Sequence, residues 1–194
     1  MCRKLKYLND IAEEINAACI MINESHLTGN HFDEEIIRFL DNFQIFRGTA
    51  IFVKKTIQAS QILSFSNSTV DFNAVECKKE NMVLVSFYRP PNSTHDQFSE
   101  AVQALDEGLE LTGAGNKNLI LYGDFNLGSI EWNETSPRVP SPIEFFNDFL
   151  NKWCLLQRVK FPTRQESMLD LVFTNDDNLI DNLEPRNHVT ELKP

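Results

Sequence analysis

Apolar residues recur along this chain at two different spacings, and the order of those spacings carries the first structural information. Between residues 4 and 16, Leu5, Leu8, Ile11, Ala12 and Ile15 fall three or four positions apart, the period of a helix with one buried face. The run Ala18 to Ile22 is continuous and apolar and predicts a short buried strand ending at Asn23 and Glu24. Thr49 to Val53 and Val70 to Cys77 predict two further strands, and Met82 to Tyr88 a strong one that stops at Pro90-Pro91. Thr94 with Gln97 three residues later forms a capping-box signature, and Phe98, Val102 and Leu105 follow on one helical face. Asn118 to Tyr122 predicts a strand running into Gly123-Asp124-Phe125-Asn126. Ser141, Pro142, Ile143 and Glu144 open a second helix through Phe145, Phe146, Phe149 and Leu150, and Leu169 to Thr174 closes the series as a strand. Strands and helices mix without strict alternation, which predicts an α/β domain of sheets packed face to face with helices outside.

A chain of 194 residues with 42% hydrophobic positions can bury one real core. No repeat, low-complexity tract or linker divides it, so one domain is expected over residues 1–185. Residues 186–194, lacking apolar alternation, are expected to fray. No apolar run reaches the roughly 18 residues of a membrane span. The start, from Met1 to Tyr7, is basic but is not followed by an apolar stretch and cleavage site, so no secretory signal is expected. Cys2, Cys19, Cys77 and Cys154 are widely spaced, with no paired motif. Cys19 and Cys77 lie in strand-like runs, where buried reduced thiols and an intracellular setting are expected. Eighteen Lys and Arg against 28 Asp and Glu give a net charge of −10. That balance predicts weak intrinsic affinity for a phosphate backbone, although a metal site needs acidic ligands.

Polar residues recur where the predicted strands end: Glu24, Tyr88, Asp124 with Asn126, and Asp170. Strand ends are rigid enough to hold reacting groups. A carboxylate such as Glu24 suits Mg²⁺, a hard cation that takes oxygen ligands. Asp124 and Asn126, two apart, would project from the same side of an extended segment, one handling a proton or water and the other donating to a phosphate oxygen. Each piece has a bland reading too. Glu24 alone reads as a solvated strand end, Gly-Asp-Phe-Asn as a turn, and Tyr88 as an aromatic packed at a strand edge.

Order and spacing together are more specific. The stretches Ile22 to Leu27, Gly48 to Lys55, Ser86 to Ser93, Leu119 to Trp132, and Phe161 to Arg164 continuing through Leu169 to Asn175 resemble the endonuclease/exonuclease/phosphatase superfamily. They are most similar to the endonuclease domain of non-LTR (LINE-type) retrotransposons. The resemblance implies a four-layer α/β-sandwich and a DNA-nicking, reverse-transcriptase-associated hydrolase, nuclear if functional. By resemblance Glu24 binds Mg²⁺ (or Mn²⁺), Asp124 positions the attacking water, Asn126 contacts the scissile phosphate and Tyr88 hydrogen-bonds a phosphate oxygen. Asp170 would orient a catalytic histidine, and Thr163 would lie beside the DNA-binding face. DNA and a reverse transcriptase domain of the parent polyprotein are the implied partners.

The family pattern also has a first strand ending in asparagine and a closing Ser-Asp-His, neither of which matches here. The expectation is a chain lacking its first and last strands. Asn187-His188 stands 17 and 18 residues past Asp170, short of the family spacing, and reads as a surface pair in the tail, with a degenerate stand-in for Asp-His as the alternative. Weak or no nicking is therefore expected from this chain alone, because catalytic sets act as a unit. Two alternatives remain open: a non-catalytic decayed fragment or binding module that keeps the fold, and a phosphatase acting on small phosphoesters.

Overall fold

The strongest predicted strand shows how the layers are built. In a computed structural model, which describes residues 2–23, 40–46, 49–67, 69–128, 130, 132, 143–180 and 182–185, Met82–Tyr88 is a strand buried on both faces. Val83, Val85 and Phe87 point into one core and Leu84 into another. Alternation along a strand requires this division once both faces are covered.

The covering elements follow in chain order. Helix α1 (Cys2–Glu14) precedes strands β1 (Cys19–Ile22), β2 (Phe43–Phe46) and β3 (Ala50–Lys54). Then come β4 (Ala59–Ser66), β5 (Asp71–Cys77) and β6 (Met82–Tyr88), helix α2 (His95–Leu111), and β7 (Asn118–Asp124). Helix α3 (Glu144–Lys152), β8 (Leu156–Gln157) and β9 (Asp170–Thr174) are the last α-helix and strands among the described residues. The first three strands form one antiparallel sheet in the order β1-β3-β2. The other six form a second sheet, β4-β5-β6-β7-β9-β8, antiparallel except where β6 and β7 run parallel. A parallel pair needs a crossover, and α2 lies in it.

Three cores stack between these layers. Ala12 and Leu8 of α1 meet Ala50 and Phe52 on the outer face of the small sheet. Ile51 and Val53, on the opposite face of β3, pack against Val75, Cys77 and Leu84 of the large sheet. On the far side of the large sheet, Phe98, Val102 and Leu105 of α2 and Phe146 and Leu150 of α3 pack on Phe72, Val85, Leu121 and Phe173. Helix, sheet, sheet and helix make the expected α/β-sandwich.

Local chemistry explains the boundaries. Thr94 accepts from the Gln97 amide while the Gln97 side chain accepts from the Thr94 N–H, so the capping box at α2 forms as expected. Helix α1 stops because Asn16 adopts φ 52°, with Ala17 N–H donating to Ala12 O, a left-handed Schellman cap. Ile15 therefore falls past the helix and is 53% exposed, a correction to its place on the buried face. Ser141 and Pro142 lie outside the described residues, as does the tail 186–194. Cys19 and Cys77 are free thiols that pack in the inter-sheet core; burial raises both pKa values, Cys77 to about 11. Among the described residues no helix is long and apolar enough to cross a membrane.

Candidate active site at the strand ends

The topology gathers three of the predicted residues at one end of the large sheet. Tyr88 ends β6, Asp124 ends the parallel β7, and Asp170 begins the antiparallel β9. The register pairs Tyr88 with Asp124 and Asp124 with Asp170. Parity puts all three on one face. Leu84 and Ile120 point toward the small sheet, and Tyr88 and Asp124 follow each by four residues. Asp170 alternates with Leu171, which points to the helices. Asp71, at the start of β5 and opposite Tyr88, continues the row. Sequence reading missed Asp71, although an acid opening a strand was the available signal.

Asp124 and Asp170 are directly opposed on neighbouring strands, where side chains start about 5 Å apart and like charges repel. Tyr122, two residues before Asp124 on the same face, feels both. Burial first, then the charges of Asp170 and Asp124, push its phenol up to about 12. Two opposed carboxylates with nearby amide and phenol groups form an all-oxygen donor set, which fits a hard divalent cation taking one or two carboxylates and keeping several waters. Among the described residues no group of three His, Cys, Asp or Glu is placed to hold a metal. Glu24, the predicted metal ligand, lies outside the described residues. Its predecessor Asn23 is described: its Oδ1 accepts from Ser86 Oγ at 3.2 Å, and Ser86 O accepts from Thr49 Oγ1 at 2.9 Å. Residue 23 is thus tied to β6 two positions before Tyr88. Its Nδ2 is buried with no hydrogen-bond partner among the described residues, a donor left over for a further group.

Glycine and phenylalanine set the reach of the Asp124 strand end. A Cβ on Gly123 would lie 2.2 Å from Phe87 O, so only glycine lets β7 approach β6 here. Gly123 and Asp124 are strand residues, which rules out a turn at those two positions. Phe125 is wholly buried and stacks on Phe87, with ring centroids 5.1 Å apart. That contact extends a ladder of rings through Phe87–Phe72 and Phe72–Phe65. Beyond it, Asn126 adopts φ 49°, a left-handed conformation that asparagine tolerates. The expectation that Asn126 continues an extended segment is thereby corrected. Its backbone N–H donates to Asp124 Oδ1 at 3.1 Å and its Nδ2 donates to Arg89 O at 2.9 Å.

Thr163 stands at the neighbouring hairpin. Its Oγ1 accepts from the N–H groups of both Leu169 and Asp170, at 2.9 and 3.0 Å, and so anchors the start of β9. Asn187-His188 lies outside the described residues. A cavity of about 510 Å³ at the opposite end of the sheet is lined by Glu110, Asn116, Lys152, Trp153 and Asn175. Its cation is already paired, since Lys152 bridges Asp106 and Glu110, and none of the strand-end residues reaches it. The predicted site residues thus lie at the other end of the sheet from this cavity.

Comparisons with known proteins bear on the family and the fold. A family model described as endonuclease-reverse transcriptase matches residues 82–192. Among solved structures, the endonuclease domain of TRAS1, a telomere-specific non-LTR retrotransposon, is 18% identical with a TM-score of 0.58, over 89% of this chain and 79% of that one. An endonuclease/exonuclease/phosphatase family protein from Bacteroides thetaiotaomicron is 13% identical with a TM-score of 0.60, over 89% of this chain and 72% of that one. A mannosyl-6-phosphatase from the same species matches with a TM-score of 0.59 at 13% identity, over 89% of this chain and 76% of that one. At these identities the structures share a fold. No curated protein matches the sequence.

Proposed function

This chain belongs to the endonuclease-reverse transcriptase family, and from that premise we propose that it is a Mg²⁺-dependent module that nicks DNA by hydrolysing a phosphodiester. The observation that carries the reading is the row Tyr88, Asp124 and Asp170, registered across three strand ends with Asn126 beside it. Glu24, with help from the strand-end carboxylates, would hold Mg²⁺, which when bound neutralises charge developing on the phosphate. Asp124 orients the attacking water and accepts its proton. Asn126 spends one amide N–H on Arg89 O and keeps the other for a phosphate oxygen. The Tyr88 hydroxyl donates to the same phosphate. Asp170 would orient an imidazole where one is supplied, and Thr163, by holding the start of β9, sets where Asp170 stands.

A net charge of −10 opposes binding to a polyanion, so nicking by this chain alone is slow. The natural partners on this reading are nuclear DNA and a reverse transcriptase domain that extends the nick. The experiment is conversion of supercoiled plasmid to open circle with Mg²⁺, with EDTA, and with Asp124→Ala. Slow nicking that both controls abolish supports the proposal. Nicking that survives either control contradicts it, and rapid nicking contradicts the slow rate. No nicking at all favours a non-catalytic module that keeps the fold. Phosphate release from small phosphoesters without nicking favours a phosphatase, the activity named for one structural neighbour.

A further inference from the structure

Arg89 follows Tyr88 directly and is buried, with 6% of its surface exposed. A buried guanidinium is costly unless its donors are satisfied. Here the two terminal nitrogens reach backbone carbonyls, while Nε is buried with no partner among the described residues. Nη1 donates to Phe125 O at 3.1 Å and to Asn126 O at 3.2 Å, and Nη2 donates to Ser93 O at 3.3 Å. The guanidinium carbon lies 5.1 Å from the centre of the Phe98 ring, which supports the charge from below. The main chain repeats the connection: Arg89 N–H donates to Asp124 O at 2.8 Å, and Asn126 Nδ2 donates back to Arg89 O. Desolvation lowers the guanidinium pKa and the Asp124 charge raises it, so the two groups share one field.

We propose that Arg89 is a positioning residue for the strand-end site: its fork fixes the Phe125 and Asn126 carbonyls and thereby holds Asn126 in its left-handed conformation with its amide aimed along the site. The inference rests on the reading above that Asn126 meets the phosphate. A clamp serving only the turn after β6 would need the Ser93 carbonyl alone. Two of the three carbonyls belong instead to the loop that carries Asn126, and the Asn126 side chain closes the circuit. Lysine keeps the charge but lacks the planar fork that grips several carbonyls at once.

The test is a double-mutant cycle in the full chain with Arg89→Lys and Asn126→Gly, glycine being chosen because it takes φ 49° without strain. Asn126→Gly should lower the nicking rate about 100-fold, the usual loss for one oxyanion donor. Arg89→Lys should lower it about tenfold, with KM little changed, as expected for a small misplacement of reacting groups. The double variant should be no slower than Asn126→Gly alone, because both changes remove the same function. Losses that multiply would overturn the proposal. A second measurement stands apart from activity and from the folding of Arg89→Lys. In the unmodified protein the Arg89 Nη–H resonances should be resolved and slow to rotate, and Asn126→Gly should shift them. A freely averaging guanidinium, or one indifferent to Asn126→Gly, would overturn the positioning role even if nicking is never seen. Resolved and responsive Nη–H signals without nicking would leave the positioning intact and count against the nuclease reading.

Discussion

Gly123→Ala should be the most damaging glycine-to-alanine change among the described residues, and its size can be worked from the strand geometry. The added Cβ would sit 2.2 Å from Phe87 O and 3.0 Å from Phe87 C, both backbone atoms of β6, and 3.0 Å from Phe125 Cε2. A carbon–oxygen contact needs about 3.3 Å even in its closest favourable form. The β6–β7 spacing must therefore open by about 1 Å, and no side chain can rotate away to absorb it. Overpacking of this kind costs about 1–3 kcal/mol, and the backbone contact places Gly123→Ala at or above the upper end. Gly115→Ala supplies the contrast, since its Cβ would meet nothing within 4 Å and its φ needs no glycine. It should stay within about 0.5 kcal/mol of the parent. Gly108→Ala falls between, because its Cβ would meet Leu63 Cδ2 at 2.6 Å, a side chain that can yield, in a helix that favours alanine. Urea denaturation at fixed pH measures all three; with m of about 2–3 kcal/mol/M, the Gly123→Ala midpoint should drop by about 1 M or more. The same displacement separates Tyr88 from Asp124, so nicking should fall about 100-fold. Equal midpoints for Gly123→Ala and Gly115→Ala would refute the claim that a close backbone approach defines this strand end.

The remaining predictions concern the neighbouring hairpin and alkaline pH. Thr163→Val removes the acceptor of two N–H groups and should cost about 1–3 kcal/mol, with faster amide exchange at Leu169 and Asp170; unchanged exchange there would show that the hydroxyl does not anchor β9. Cys77 and Tyr122 hold their protons in the folded state to about 11 and about 12, above their ordinary values of 9.0 and 10.0. Between each pair of values the unfolded chain binds fewer protons, so stability is full below about pH 9 and falls as pH rises from 9 to 12. Urea midpoints across that range should decline, and Cys77→Ala should flatten the lower part of the decline; a flat parent profile contradicts the burial of both groups.

The sequence made the strongly patterned elements legible. Met82–Tyr88 and the Thr94 capping box stand where the apolar run and its punctuation put them, because both faces of β6 are buried and α2 has a satisfied N-terminus. Three strands were illegible for physical reasons. Residues Ala59–Ser66 form an edge strand whose half-exposed pattern mixes Ser and Gln with Ile, Leu and Phe, so no clean period appears. Phe43–Phe46 has four residues and Leu156–Gln157 only two, too few for a periodic signal. The site was legible as a set of strand-end residues, since polar groups after apolar runs stand out. Its register was not, because nothing in Tyr88, Asp124 or Asp170 alone says which strands are neighbours. Arg89 escaped for a related reason. Beside Pro90-Pro91 it reads as a surface cation, and only the fold turns its fork inward onto Phe125 and Asn126.

The central claim is that the ends of β6, β7 and β9 form a cation-assisted phosphate site. Its most direct test is paramagnetic broadening in the ¹⁵N-labelled full chain titrated with Mn²⁺. The account predicts that the amides of Tyr88, Asp124, Asn126 and Asp170 broaden first, and that Glu24→Ala weakens the effect. Broadening centred instead on Asp106 and Glu110, the acidic pair at the far end of the sheet, would contradict it.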